Sequence, residues 1–227
     1  MRAEMTRTYR GIKSSWRRRR TALRVGAAIL LLQSLSAGCV PFAAAVANMT
    51  GGDWIEPEFE LSQEPLLVLI DDPNGLVTEP RAIREAYLTI SEIFLEFKVN
   101  KMIVPFQEWQ RLRADPKYAS YSVRQIGEKL GARQVLHVGV ERFTLHAEAG
   151  APIFKGQFAA RVKVLSTERQ KDVRLWPEGE SGRRLEVETT PTPSDGEVTA
   201  ADVAKELGIK MGQEVAKLFY GRREFDS

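Results

Sequence analysis

The chain of 227 residues contains a single cysteine, Cys39, and only two histidines, His137 and His146. One cysteine excludes an internal disulfide framework and any thiolate metal cluster. The two histidines stand nine residues apart, and on a common strand an odd separation places them on opposite faces, where they cannot share one ion. No Gly-x-x-x-x-Gly-Lys-Ser/Thr phosphate loop occurs, and neither Gly-x-Gly-x-x-Gly nor Gly-x-Ser-x-Gly is found. These absences leave no catalytic residue, metal or cofactor to assign. A long apolar run is missing as well. The strongest, Val25 to Leu35, has 11 residues, whereas a spanning helix needs roughly 20.

What is present begins at the N-terminus. Arg17 to Arg20 precede that apolar run, and Ser36, Ala37 and Gly38 lead into Cys39. Charge, then grease, then small residues is the order of an export leader. Residues 1–38 carry nine Arg or Lys against one acid, Glu4, so the whole-chain charge of +3 hides a value of −5 for the remaining 189 residues. The basicity is thus a targeting signal, and no nucleic-acid partner is expected, because that would need a basic face on the folded part.

The expected organisation is a leader over 1–38, a flexible tether over 39–63 and a single α/β domain over 64–227. The tether is Ala-rich, then Gly-Gly, then acidic, without a period. Leu66 to Ile70 is a short continuous apolar run, the mark of a strand buried on both faces. From Thr78 to Phe97 the apolar residues Ile83, Ala86, Tyr87, Ile90, Ile93, Phe94 and Phe97 recur at helical spacing. Met102 to Val104 reads as a second short strand stopped by Pro105, and Phe106 to Arg113 as a helix broken at Asp115-Pro116. Ser122 to Gln125 has capping-box form and opens a helix closed by Gly131. Strands follow at Gln134 to Leu145, Ile153 to Leu165, Val173 to Trp176 and Arg184 to Glu188. A hairpin joins the first two through Ala147 to Pro152. In the second, Phe154, Phe158, Ala160, Val162 and Val164 alternate with Lys155, Gln157, Arg161 and Lys163. Thr189 to Gly196 is a loop whose prolines, Pro191 and Pro193, keep it out of a sheet interior. A closing helix runs from the cap-like Thr199 to about Tyr220. The fold class is α+β or α/β: one mixed sheet, β-α-β-α then an antiparallel meander and a C-terminal helix, with helices packed on one face.

Two stretches resemble known families. Leu35-Ser36-Ala37-Gly38-Cys39 resembles a bacterial lipobox, with Ser36 in place of the usual Leu; the resemblance implies a lipidated (palmitate-bearing) Cys39. Ile126-Gly127-Glu128-Lys129-Leu130-Gly131-Ala132-Arg133-Gln134-Val135-Leu136-His137-Val138-Gly139-Val140 is similar to a helix, Gly-Ala and strand signature of small bacterial envelope lipoproteins. These share an α/β domain with the N-terminal domain of TolB and include curli-secretion (CsgG-like), penicillin-binding-protein-activating (LpoB-like) and exopolysaccharide-export (PelC-like) lipoproteins. The family implies periplasmic interaction or assembly work without catalysis, anchored to the membrane through acylated Cys39, with an envelope protein partner or self-association. Val40 is not the Asp that favours inner-membrane retention in some bacteria, which implies the outer membrane, facing the periplasm.

A different class of function has its own foothold. Asp71 and Asp72 end the first strand at the carboxyl edge, where open α/β sheets place their sites, so a periplasmic ligand-binding or hydrolytic domain is the alternative. Against it, the two carboxylates also suit the start of the Pro73-Asn74-Gly75 turn. Lys155, Arg161, Lys163 and the Arg183-Arg184 pair are candidate interaction cations or a solvated sheet face. Trp109 and Trp176 are candidate partner anchors or core.

Overall fold

A computed structural model describes residues 53–146, 152–168, 173–179, 181–194 and 196–224. The expected leader, Cys39 and residues 147–151 of the expected hairpin lie outside them. One compact unit spans Trp54 to Arg223.

Its centre is a sheet of six strands. Strand β2 (Leu66–Asp71) pairs in parallel with β3 (Gln134–His146), and β3 pairs antiparallel with β4 (Ile153–Ser166). The far edge of β4 is shared along its length by β5 (Arg174–Trp176), β6 (Arg183–Glu188) and β7 (Thr192–Pro193). A separate two-stranded ribbon joins β1 (Asp53–Ile55) to β8 (Arg222–Glu224). The helices are α1 (Arg81–Glu96), α2 (Phe106–Arg113), α3 (Val123–Lys129) and α4 (Ala200–Lys217).

Single mixed sheet and helical cover agree with the sequence reading, but the helices do not keep to one face. Val203 and Leu207 of α4 fill the space over Gly156, which shares its face of β4 with Phe154 and Phe158. Val135 lies on the other parity, and it is Val135 that stands against Gly127 of α3. Helix α3 therefore covers the face opposite α4. This is why Leu66 to Ile70 are all essentially buried: β2 is enclosed on both sides, as its unbroken apolar run requires.

Two more expectations change. Met102 to Val104 forms only one parallel bridge, Ile103 to Leu66. The Asn100 side chain takes the Met102 amide at 2.7 Å, and Pro105 has no amide to give, so the ladder cannot extend. Conversely, the 189–196 loop contributes β7, with Pro193 opposite Ile153 at the rim of the sheet, where a missing donor does little harm.

Local chemistry explains where the helices begin. Ser122 accepts the Gln125 amide while the Gln125 side chain accepts the Ser122 amide, a closed capping box. Gly131, at φ +71°, ends that segment in a conformation that costs glycine little. Thr199 and Asp202 repeat the box at α4. At the other end of α4, Phe219 packs edge-on against Phe94 of α1, 5.7 Å between centroids, and against Trp176 at 5.5 Å. Upstream of β2, Phe59 lies 6.3 Å from Trp176, Leu61 is buried, and Gln134 exchanges hydrogen bonds with the Ser62 backbone at 3.1 and 3.2 Å.

Candidate functional site at the carboxyl edge

The end of β2 opens into a cavity of about 360 Å³. Its walls are apolar at Ile70, Pro73, Val123 and Ile126, and polar at Asp71, Tyr118 and Arg113. Three elements build it. Strand β2 delivers Asp71, α2 supplies Trp109 and Arg113, and the turn before the α3 capping box brings Tyr118 and Tyr121. A second hollow of about 310 Å³ lies between α1 and α2, and Trp109 and Arg113 belong to the lining of both.

Trp109 is the fixed point. It is 2 % exposed, its Nε1 donates to the Tyr118 hydroxyl at 3.0 Å, and the Arg113 guanidinium lies 5.8 Å from its ring centroid. Burial pushes the Tyr118 hydroxyl above its ordinary pKa; the Trp109 hydrogen bond and nearby Arg113 work the other way, while the charge of Asp71 adds to the rise. Tyr121 donates its hydroxyl to Asp115 at 2.8 Å, and Lys129 lies 4.5 Å from the Tyr121 ring centre.

The two carboxylates separate in role. Asp72 accepts the amides of Leu76 and Val77 at 2.9 and 2.8 Å, so it is the turn former that a position before Pro-Asn-Gly suggests. Asp71 instead meets His137 Nε2 at 3.2 Å. In the parallel register Asp71 lies opposite Gly139 and Leu69 opposite His137, so the imidazole must lean across Gly139 to arrive. A Cβ on Gly139 would lie 3.1 Å from His137 Cε1, and its absence makes the reach possible. Sequence reasoning missed this pair because it requires the β2–β3 register; the one signal was a glycine two residues beyond the histidine.

His146 takes no part in this edge, its ring lying 4.7 Å from Phe154 on the other face of the sheet. Among the described residues no group of three or more His, Cys, Asp and Glu side chains is placed to hold a metal, and none of the cavity-lining residues is Ser, Thr, Cys or Lys. The cavity sets carboxylate, guanidinium and phenol groups around an apolar floor. The candidate cations on the open face are largely consumed within the sheet. Arg161 pairs with Glu141; Arg184 reaches Glu141 at 3.5 Å and Glu186 at 3.0 Å; Lys155 reaches Glu188 at 3.7 Å. Arg183 pairs with Glu58 at 3.1 Å. Burial lowers the pKa of Lys163, helped by Arg174 and Arg161. Trp109 and Trp176 are buried and belong to the core.

No protein-family model matches the sequence, and no curated protein does. Among solved structures, the PelC dodecamer from Paraburkholderia phytofirmans superimposes at a TM-score of 0.35 and 14 % identity, covering 74 % of this chain and 96 % of its own. Lipoprotein GNA1162 from Neisseria meningitidis gives 0.35 and 10 %, covering 67 % and 95 %. Scores of this size carry neither fold nor function across, and the architecture described above stands on the strands and helices themselves.

Proposed function

We propose that this is a non-enzymatic, lipid-anchored protein of the bacterial envelope, facing the periplasm from the outer membrane, which works by binding an envelope protein or further copies of itself. The observation that carries the reading is the Arg17 to Cys39 block, in which a basic and then apolar leader ends at the chain's sole cysteine. Acylation there gives that cysteine a role. One acyl chain holds a protein only marginally, so several chains on the terminus are part of the reading. Among the described residues no helix is long and apolar enough to cross a membrane. The test is metabolic labelling with a fatty-acid analogue. Label is expected on the native chain and absent from Cys39→Ala; label that persists in the variant overturns the anchor. Cross-linking in intact envelopes, followed by pull-down, is expected to recover a partner or a self-assembly.

The second reading, a ligand-binding domain at the carboxyl edge, gains support from one observation. The cavity beside Asp71 is of the size that small-molecule sites occupy, with a few polar groups set in apolar walls. Its test is a thermal-shift screen against short oligosaccharides and amino acids. A shift that Arg113→Ala abolishes favours it.

A further inference from the structure

We propose that the end of the domain where α1 and α4 terminate rests on a lipid bilayer, a surface contact additional to the acyl anchor and resting on the envelope reading above. Gly208 of α4 faces Ala82 of α1, Gly212 faces Ala86, and Phe219 meets Phe94. Residue numbers rise together along both helices, so α1 and α4 run in the same direction and end at the same place. There Phe97, just past α1, stacks on Tyr220, just past α4, at 4.3 Å and 20°. Trp54 lies over Gly221, where any Cβ would come within 2.3 Å of the indole, and its Nε1 donates to Glu56 at 2.7 Å.

Most large apolar side chains of this domain are buried, yet Trp54 is 57 %, Leu95 53 % and Phe97 49 % exposed. Scattered exposed apolar residues need no explanation. These differ because Trp54 and Phe97 are held against consecutive residues, Gly221 and Tyr220. An aromatic ring with a satisfied polar tip is suited to the boundary between headgroups and acyl chains.

The surrounding charge is mixed. Lys98 and Lys101 are exposed, and Arg222 donates to the Lys217 carbonyl at 2.7 Å near the end of α4. Glu56 and Glu96 are near neighbours of Trp54 and Phe97 in sequence, the Glu58 amide bonds to the Leu218 carbonyl at 2.8 Å, and Lys217 is paired with Glu214. The contact therefore rests on the aromatic rings and the tether, not on net charge.

Chain geometry selects a bilayer over another occupant. The chain reaches Trp54 from Cys39 through 14 residues, which extend to at most about 50 Å. An acylated Cys39 therefore keeps this surface within reach of the membrane, and a tethered patch needs little intrinsic affinity to engage. The amide of Leu66, at the start of β2, bonds to Met102 in the segment following α1, whereas Asp71 and the cavity lie at the other end of that strand. Docking in this way turns the carboxyl-edge cavity away from the lipid.

The experiment uses the full chain with Cys39→Ala as background. An environment-sensitive fluorophore is attached at Lys98→Cys or, near the cavity, at Ser120→Cys. Vesicles are phosphatidylethanolamine with phosphatidylglycerol as the minority anionic lipid, and flotation measures arrival separately from fluorescence. The expected result is a blue shift and quenching by spin-labelled lipid at position 98, none at 120, and about a tenfold weaker response at 98 after Trp54→Ser with Phe97→Ser. Equal response at both positions, no response at 98 in a chain that floats, or failure to float overturns the proposal. So does a position-98 probe already shielded without vesicles, whether concentration-independent, as when residues 40–52 cover the patch, or concentration-dependent, as in self-association. Absence of fatty acid at Cys39 in cells would defeat the anchor while leaving this readout intact.

Discussion

Gly208 of α4 stands so close to Ala82 of α1 that a Cβ on it would fall 2.4 Å from the Ala82 carbonyl oxygen. One turn later, Gly212 repeats the contact, with 2.8 Å to the Ala86 carbonyl. Backbone is the obstacle at Gly208, the Ala86 carbonyl and the Thr89 Cβ at 2.7 Å are the obstacles at Gly212, and no rotamer change moves any of them. Gly208→Ala is therefore expected to destabilise the fold by about 3 kcal/mol through overpacking, despite the better helix propensity of alanine. Gly131→Ala is a useful contrast: open space surrounds it, but its φ of +71° is strained for a side chain, so a smaller loss of about 1 kcal/mol is expected. Urea midpoints at constant m-value measure both. A Gly208→Ala protein as stable as the native one would show that the helices are not in contact there.

The pair at the cavity makes a second prediction. Asp71 and His137 are partly exposed, with side-chain accessibilities of 31 % and 16 %, so their coupling is screened. A double-mutant cycle with Asp71→Asn and His137→Gln is expected to give less than about 1 kcal/mol. Gly139→Val should remove most of that coupling, because the added methyls occupy the space the imidazole crosses. Coupling unchanged in the Gly139→Val background would mean that the histidine reaches Asp71 by another route.

How far the sequence reveals this arrangement depends on the range of the interaction. The Ser122–Gln125 box, the Gly131 stop and the alternation along β4 are local signals and appear where expected. So does β2, whose unbroken apolar run states that both faces are covered. The same run cannot say which helix covers which face, and α3 goes opposite α4 because Gly127 leaves room for Val135 and Thr167. At the site, Asp71 could be named from its place at a strand end. Tyr118, Arg113 and His137 could not, since they come together only through the β2–β3 register and the packing of α2. Gly208 and Gly212 are also silent in sequence, where a glycine inside a helix reads as a cost.

Trp109 ties α2 to the cavity. Trp109→Ala is expected to cost roughly 3–5 kcal/mol, since it deletes a fully buried ring between two hollows that cannot both collapse. Tyr118→Phe keeps the ring and removes only the acceptor of the Trp109 N–H, so a loss nearer 1–3 kcal/mol is expected from the unpaired indole donor. Thermal unfolding of both variants checks the order. A Tyr118→Phe loss equal to that of Trp109→Ala would place the stabilisation in the hydrogen bond and not in the packing.

At the N-terminus of α4, Asp202 predicts how stability responds to acid. The Thr199 hydroxyl donates to its carboxylate at 2.6 Å and the Thr199 amide at 3.1 Å. These hydrogen bonds, the hydroxyl first, hold the pKa below the ordinary 3.8, and both favour the charged form. A carboxyl whose pKa is lower in the folded than in the unfolded state contributes stability that is fully present above the unfolded value. That contribution is lost as pH falls through the folded one. The window thus runs from 3.8 downward, and Asp202→Asn should flatten the pH dependence of the urea midpoint there while lowering stability modestly at neutral pH. Asp115 is shifted in the same direction by the Lys117 amide and then the Tyr121 hydroxyl, so Asp115→Asn should flatten the same window independently. The two effects should add, because the groups belong to different helix boundaries and share no hydrogen-bond partner. An Asp202→Asn curve parallel to the native one throughout this window would mean that the cap is already open in solution.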